Sequence, residues 1–164
     1  MKHAIALGAE HLQTLNLQPA RAVIDPILTK STDGTAAAEL NKSDCTFSFE
    51  IDFPREESDP RELSEIPEVR LWFIRLDTLY PWLPLYLDWE AGELSRYTAM
   101  LVPHQFSPID GIRFNPEALE IFVMAKVFGI DRWLKQQGIE GRSRLKFMTQ
   151  TLGYELDDAL FSLL

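Results

Sequence analysis

Cysteine and histidine are scarce in this sequence. Cys45 is the single cysteine among 164 residues, so the chain can form neither an internal disulfide nor a thiolate metal cage, and we expect a reducing compartment. The 3 histidines, at positions 3, 11 and 104, lie in unrelated segments and lack the spacing of a zinc site. The sequence therefore predicts no bound metal ion.

Glycine and long apolar runs are scarce as well. The 8 glycines are scattered, and none builds the glycine-rich turn that cradles a dinucleotide or a nucleotide phosphate, so no cofactor is predicted. No apolar stretch approaches the length that a membrane span requires. The first residues lack the apolar core of a secretory signal, and Glu10 is atypical of a transit peptide. We therefore expect a cytoplasmic protein without membrane insertion.

An excess of positive charge is also missing. The chain has 16 Lys and Arg against 25 Asp and Glu, and its net charge of -9 argues against a nucleic acid or an anionic membrane surface as its partner. The whole excess of carboxylates lies in residues 1–110, whereas residues 111–164 are balanced. This asymmetry is compatible with a basic partner, although solubility alone is the simpler explanation.

Aromatic residues, in contrast, are abundant, with 4 Trp, 4 Tyr and 10 Phe. Most of these rings should fill the core, and the surplus leaves room for a recognition surface. A chain of this length buries one core, so we expect a single domain over residues 1–164. Within it we expect an N-terminal helical segment over 1–44, a sheet region over 45–107 and C-terminal helices over 111–164.

Three segments have the pattern of β-strands. Residues 45–53 alternate strictly, with an apolar face formed by Phe47, Phe49, Ile51 and Phe53. Residues 69–79 and 93–102 are also interpreted as strands. The run 80–89 contains two prolines, so any strand in it is expected at a sheet edge or only after Pro84. The segment 54–68 is rich in proline and carboxylates, which predicts a solvated loop with one helical turn near Glu62.

Helix signals surround this sheet region. After a loosely held start, Asn16 can cap a short helix that contains Pro26, and a turn with a short helical piece is expected over 30–42. Asn115 followed by proline predicts the start of a long helix, with further helices over 142–152 and 154–164. The predicted fold is α+β, with a mainly antiparallel sheet of about four strands packed on one side by the C-terminal helices.

Candidate catalytic groups are few. His104 is the only plausible general base, and no nucleophile elbow accompanies it, so a structural role is more typical for such a histidine. Several carboxylates lie close in sequence to aromatic residues, an arrangement that would suit a sugar; they are Asp77, Asp88, Glu90 and Glu93. A small hydrolase or carbohydrate-binding protein therefore remains an alternative to a protein-binding role.

The proline- and aromatic-rich run over 66–114 is the most informative part of the chain. It can be a buried meander whose prolines shape sheet edges, or an exposed apolar edge rimmed by arginines that binds a protein partner. On the second interpretation we predict these contact residues: Arg75, Trp82, Tyr86, Trp89, Arg96, Tyr97, His104, Phe106 and Arg113.

Four word-like runs in this part of the chain carry a resemblance to a known family. They are IPEVRLWFIRLD at 66–77, YPWLP at 80–84, GELSRYTAMLVPHQFS at 92–107 and GIRFNPEALEIFVM at 111–124. Together they resemble the chlororespiratory reduction 6 family of cyanobacteria and chloroplasts, over roughly residues 45–164.

The resemblance implies a non-catalytic assembly factor of the photosynthetic NAD(P)H dehydrogenase-like complex. The implied partner is its ferredoxin-like iron–sulfur subunit, and the resemblance implies no cofactor bound by this chain itself. The implied location is the cyanobacterial cytoplasm, or the stroma in plastid relatives. Because Cys45 alone cannot deliver a cluster, we expect the protein to hold its client rather than to insert iron.

Overall fold

The computed structural model describes residues 1–29, 45–102, 104–107, 109 and 111–163. The turn and helical piece expected over 30–42 fall outside these residues. The strands are β1 (Lys2–Gly8), β2 (Thr46–Asp52), β3 (His104–Ser107) and β4 (Gly111–Phe114). The helices are α1 (Ala9–Gln13), α2 (Gln18–Thr29), α3 (Pro67–Leu79), α4 (Leu83–Tyr86), α5 (Glu93–Leu101), α6 (Pro116–Gln136) and α7 (Arg142–Thr151), with 3-10 turns at Leu63–Glu65 and Leu160–Ser162.

The sheet differs from the predicted one, although the α+β class is confirmed. β1 and β2 form a parallel pair in the register Lys2 to Thr46 through Gly8 to Asp52. β3 and β4 form a separate antiparallel hairpin. Among the described residues there are two sheets of two strands each, so the prediction of about four antiparallel strands is wrong.

Two predicted strands are helices. In α3, Val69, Trp72, Phe73 and Leu76 are buried, and their spacing of three and four residues places them on one helical face. Pro67 occupies the first turn, where its missing N–H costs nothing. α5 likewise buries Leu94 and Tyr97. After Pro84, Leu85 and Tyr86 lie in α4, and instead of an edge strand Leu87 forms only an isolated parallel bridge with Phe47.

The first residues, predicted to be loosely held, form β1. Ile5 and Leu7 point inward and are buried, whereas Lys2, Ala4 and Ala6 are exposed. This short alternation escaped the sequence interpretation because small alanines on the outer face hardly differ from apolar residues. α1 and α2 then carry the chain from β1 towards β2, as a parallel pair requires.

Several local predictions are confirmed. β2 buries Phe47 and Phe49, and the loop after it holds the single 3-10 turn at Leu63–Glu65. The Asn115 side chain accepts hydrogen bonds from two backbone amides at the start of α6, which continues through Gly129. The last predicted helix, over 154–164, is in fact reduced to the 3-10 turn at Leu160–Ser162.

The outer edge of β2 is closed by α5. The Phe49 amide donates to Glu93 Oε2 at 3.2 Å, and Arg96 Nη1 donates to the Phe49 carbonyl at 2.9 Å. Arg96 also pairs with Glu93 Oε1 at 3.0 Å. On the same edge, the Asp88 amide donates to the Phe47 carbonyl at 2.8 Å. Two side chains of a helix thus replace the third strand that the sequence predicted.

Replacing Glu93 with alanine should lower the free energy of unfolding by about 2 kcal/mol, because it leaves the buried Phe49 amide without an acceptor. Glu93→Gln keeps an acceptor and should recover most of this loss. Urea unfolding of the three proteins checks the ranking. Equal stability of Glu93→Ala and the unsubstituted protein would contradict the role of Glu93 at this edge.

The same variants test how the protonation of Glu93 affects the stability of the fold. Burial raises the pKa of the Glu93 carboxyl above its ordinary value, against the opposing effects of the Arg96 guanidinium and the Phe49 amide. The folded state therefore binds this proton more tightly than the unfolded state does. Relative to Glu93→Gln, the unsubstituted protein should lose stability as pH rises from the ordinary carboxyl pKa through the raised one.

Candidate functional site

Three of the predicted contact residues lie in the core. Trp82 is 2% exposed, and Tyr86 and Tyr97 are buried as completely. The Trp82 ring stacks on Trp133 at 5.3 Å and meets Tyr86 edge-on at 5.4 Å. These three rings are buried and offer no area to a partner. They can affect binding only by holding the exposed residues above them in place.

The two predicted arginines on helices are exposed. Arg96 is occupied at the edge of β2, as described above. Arg75 lies on the outer side of α3, in one helical turn with Leu71 and Ile74, which are 48% and 47% exposed. The outer side of α3 therefore presents two apolar side chains beside a cation.

Three further predicted residues, His104, Phe106 and Arg113, belong to the β3–β4 hairpin. In its register, His104 is paired with Phe114, Gln105 with Arg113, and Phe106 with Ile112. The structure describes the backbone of these strands and not the orientation of their side chains, so their contact role stays a prediction.

The last predicted contact residue, Trp89, lines a surface cleft of about 620 Å³. Its apolar lining comes from α4, from the turn after it and from α7. Leu85 and Leu87 line it but are only 2% exposed, so the accessible apolar area belongs to Trp89 and Phe147. We call the surface formed by these four residues the aromatic cleft. The Trp89 and Phe147 ring centroids lie 5.3 Å apart. The Trp89 indole N–H donates to the Pro84 carbonyl at 3.1 Å, which fixes the ring. Phe147 is 58% exposed, although it is a large apolar side chain.

Charged groups of both signs surround the aromatic cleft. Lys2 pairs with Asp88 at 3.1 Å, and the Ala91 amide donates to the Asp88 carboxylate at 3.1 Å. These interactions, with the Ala91 amide the stronger, lower the pKa of Asp88. The Arg144 guanidinium lies over the Tyr86 ring, 4.6 Å from its centroid. Trp89 and Arg144, two residue types that are enriched at the centres of protein-binding surfaces, thus both line this cleft, and the buried Tyr86 ring lies beneath Arg144.

Sequence reasoning missed Phe147 and Arg144, because α7 was treated only as a helix that covers the sheet. A signal was available in the spacing of apolar residues. Leu145, Met148 and Thr149 form the buried side of α7, and Phe147 lies out of phase with them. An aromatic residue that departs from the buried side of a helix is a candidate for recognition.

Three of the four carboxylates considered for a sugar site or for hydrolysis have structural partners, and the fourth, Glu90, is exposed. Asp77 accepts hydrogen bonds from Tyr97 on α5 and Lys126 on α6. Burial and the Asp77 carboxylate raise the pKa of the Tyr97 hydroxyl well above its ordinary value. Asp88 is held by Lys2 and Ala91, and Glu93 by Phe49 and Arg96. These three groups are engaged in holding elements together.

Cys45 directly precedes β2 and is partly buried. Burial raises the pKa of its thiol, which keeps the sulfur protonated and poorly nucleophilic near neutral pH. Within the described ranges, no three His, Cys, Asp or Glu side chains lie together as metal ligands would. Nor does any helix in that part of the chain have the length and apolar character to cross a bilayer.

Fold and site together define an α+β protein whose described surface carries an aromatic cleft with a mixed-charge rim. The chain belongs to the chlororespiratory reduction 6 family, whose sequence model matches residues 7–163. The resemblance of the four sequence runs is thereby confirmed over nearly the whole chain. Membership is consistent with an assembly-factor role for a chlororespiratory complex, and hence with protein partners. No solved structure matches this chain.

Proposed function

We propose that this protein is a non-catalytic assembly factor that binds a subunit of the photosynthetic NAD(P)H dehydrogenase-like complex during its assembly. The proposed client is the ferredoxin-like iron–sulfur subunit, bound in the cyanobacterial cytoplasm or the plastid stroma. Family membership supports the assembly role. The aromatic cleft supports a protein surface as the ligand.

One observation carries the cleft assignment, namely the exposure of Phe147 against Trp89. Fully burying a phenylalanine side chain contributes about 1.5–3 kcal/mol, and more than half of that area is still open to solvent here. The Pro84 carbonyl already fixes Trp89, so little side-chain freedom is lost when a partner covers the pair. A preformed aromatic pair is thus ready to become the centre of an interface.

The surrounding charges fit a reversible contact. Lys2 and Asp88 neutralise each other, so a partner that covers this pair buries no unpaired charge there. The thiol of Cys45 is partly buried and has a raised pKa, which suits it poorly to ligate iron. These features support holding a client rather than supplying its cluster. The exposed Arg75 on α3, and His104, Phe106 and Arg113 on the hairpin, stay predicted additional contacts.

Affinity purification tests the proposal. The full chain carrying a tag would be recovered from a cyanobacterial lysate as the unsubstituted protein and as Phe147→Asp. We expect the iron–sulfur subunit to accompany the first, identified by mass, and to fall at least about tenfold in the second, since a buried carboxylate without a partner costs more than 1.4 kcal/mol.

The matched control is Ile121→Asp, which introduces the same charge at another exposed apolar residue, on α6 and outside the cleft lining. It should recover the client as the unsubstituted protein does. Recovery of no dehydrogenase subunit by the unsubstituted chain, at any salt concentration, would overturn the proposed function. Equal losses in both variants would overturn the assignment to the aromatic cleft.

A further inference from the structure

The two edges of the β1–β2 sheet differ in whether their outward backbone groups have hydrogen-bond partners. Along β2, the free backbone groups of Phe47 and Phe49 are taken by Asp88, Glu93 and Arg96, as described above. Such coverage protects a strand against pairing with another chain. On the opposite edge, α1 and α2 contact β1, but among the residues that the structure describes no comparable hydrogen-bond partner is found at the centre of the strand.

The register shows which groups point outward from β1. The Thr46 amide donates to the Met1 carbonyl at 2.9 Å, so the odd-numbered residues of β1 face β2. The amide and carbonyl groups of the even-numbered residues therefore point to the open side. The Gly8 amide bonds His11 Nδ1 at 3.0 Å. For Ala4 and Ala6, no such partner is found within the described part of the chain.

Access to these groups is unobstructed by side chains of β1. Ala4 and Ala6 are exposed and carry only methyl groups. β1 has neither a proline nor a central charge, two devices that commonly blunt an edge. Lys2, at the start of the strand, is held by Asp88 at 3.1 Å. A strand of this length with an open centre is a template for main-chain pairing.

The charges near this edge indicate what kind of segment fits. Glu50 and Asp52 on β2 are exposed and stand opposite Ala6 and Gly8 in the register. A strand added beside β1 would lie two strand spacings, about 10 Å, from β2. Because Ala6 ends at its methyl group, a lysine or arginine of the added strand can extend across it towards Glu50.

We propose that the edge of β1 at Ala4 and Ala6 accepts an extended segment of a partner protein as an added strand, with lysine or arginine at alternate positions. This mode of binding rests on the proposed function for its biological occupant. A second copy of this chain is a poor occupant, because each copy carries a net charge of -9 and the two would repel each other.

The first test uses two acetylated heptapeptides, one alternating valine with lysine and one alternating valine with glutamate. Titrated into the full chain, the lysine peptide should bind and should slow hydrogen exchange at the Ala4 and Ala6 amides, while the glutamate peptide should bind at least about tenfold more weakly. No protection at either amide, or equal binding of the two peptides, would overturn the proposal.

Two substitutions test the mechanism. Ala6→Pro removes an outward amide that β2 does not use and should weaken the lysine peptide about tenfold or more, whereas Ala6→Ser keeps the amide and should bind normally. Glu50→Lys should reverse the preference, so that the glutamate peptide binds more tightly than the lysine peptide. This variant still tests the proposal if Ala6→Pro folds poorly. Unchanged binding in Ala6→Pro, an unchanged preference in Glu50→Lys, or dimerisation through β1 would overturn the proposal.

The experiment separates this inference from the proposed function. Client recovery without any peptide binding would overturn strand addition alone. Peptide binding without client recovery would overturn the proposed function alone.

Discussion

Trp82→Ala is expected to lower the free energy of unfolding by about 3–5 kcal/mol, the usual loss for a large buried aromatic residue. Trp82 is 2% exposed and contacts the rings of Phe47, Tyr80, Tyr86 and Trp133. Alanine would leave a cavity among these rings that the surrounding helices cannot fill by small movements. Denaturant unfolding followed by circular dichroism measures the change.

Arg75→Ala is the matched control, because it alters another predicted contact residue that is exposed. Its stability should stay within about 0.5 kcal/mol of the unsubstituted protein. Comparing Trp82→Ala with Arg75→Ala distinguishes a buried residue that supports the fold from an exposed residue that can touch a partner. Trp82 would affect client binding only through its effect on the fold. A stable Trp82→Ala protein that lost its client would contradict the core assignment.

Asp77→Ala is expected to cost about 3 kcal/mol, because it leaves two partly or fully buried groups without their common partner. Those groups are the Lys126 ammonium on α6 and the Tyr97 hydroxyl on α5. The carboxylate on α3 thus joins three helices through one side chain. Chemical denaturation of the variant at neutral pH gives the magnitude.

The double variant Asp77→Ala with Lys126→Met provides the control. It removes the unpaired charge and replaces it with an apolar side chain of similar length, so part of the lost stability should return. Asp77→Asn retains an oxygen that can accept from Tyr97, so its free energy of unfolding should lie between those of Asp77→Ala and the unsubstituted protein. A double variant less stable than Asp77→Ala would contradict the electrostatic origin of the loss.

The strict alternation in β2 was sufficient to predict that strand, because one face of the pleat is buried and the other is not. The cap at Asn115 was equally readable, since it depends on residues that are neighbours in sequence. α3 was misinterpreted because Trp72, Phe73 and Ile74 have high β propensity, while its buried residues follow helical spacing. There, burial on one side overrode local preference.

The candidate site was predictable only in part. Trp89 was identified because it lies in the proline- and aromatic-rich run 66–114, yet its partner Phe147 lies 58 positions further along the chain. Three other predicted contact residues are also aromatic and lie in the same run, but they fill the core; they are Trp82, Tyr86 and Tyr97. Residue type alone does not distinguish an aromatic side chain that supports a surface from one that forms it.

The sequence by itself determined the class of fold, the charge asymmetry, the strand β2, the start of the long helix α6 and the family. These follow from composition, local periodicity and contiguous motifs, all of which are read along the chain. Only the tertiary structure decided that β1 pairs with β2 in parallel, that Glu93 and Arg96 close one sheet edge, and that Phe147 meets Trp89. Each of these depends on groups far apart in sequence, whose contact is set by which apolar faces are buried together.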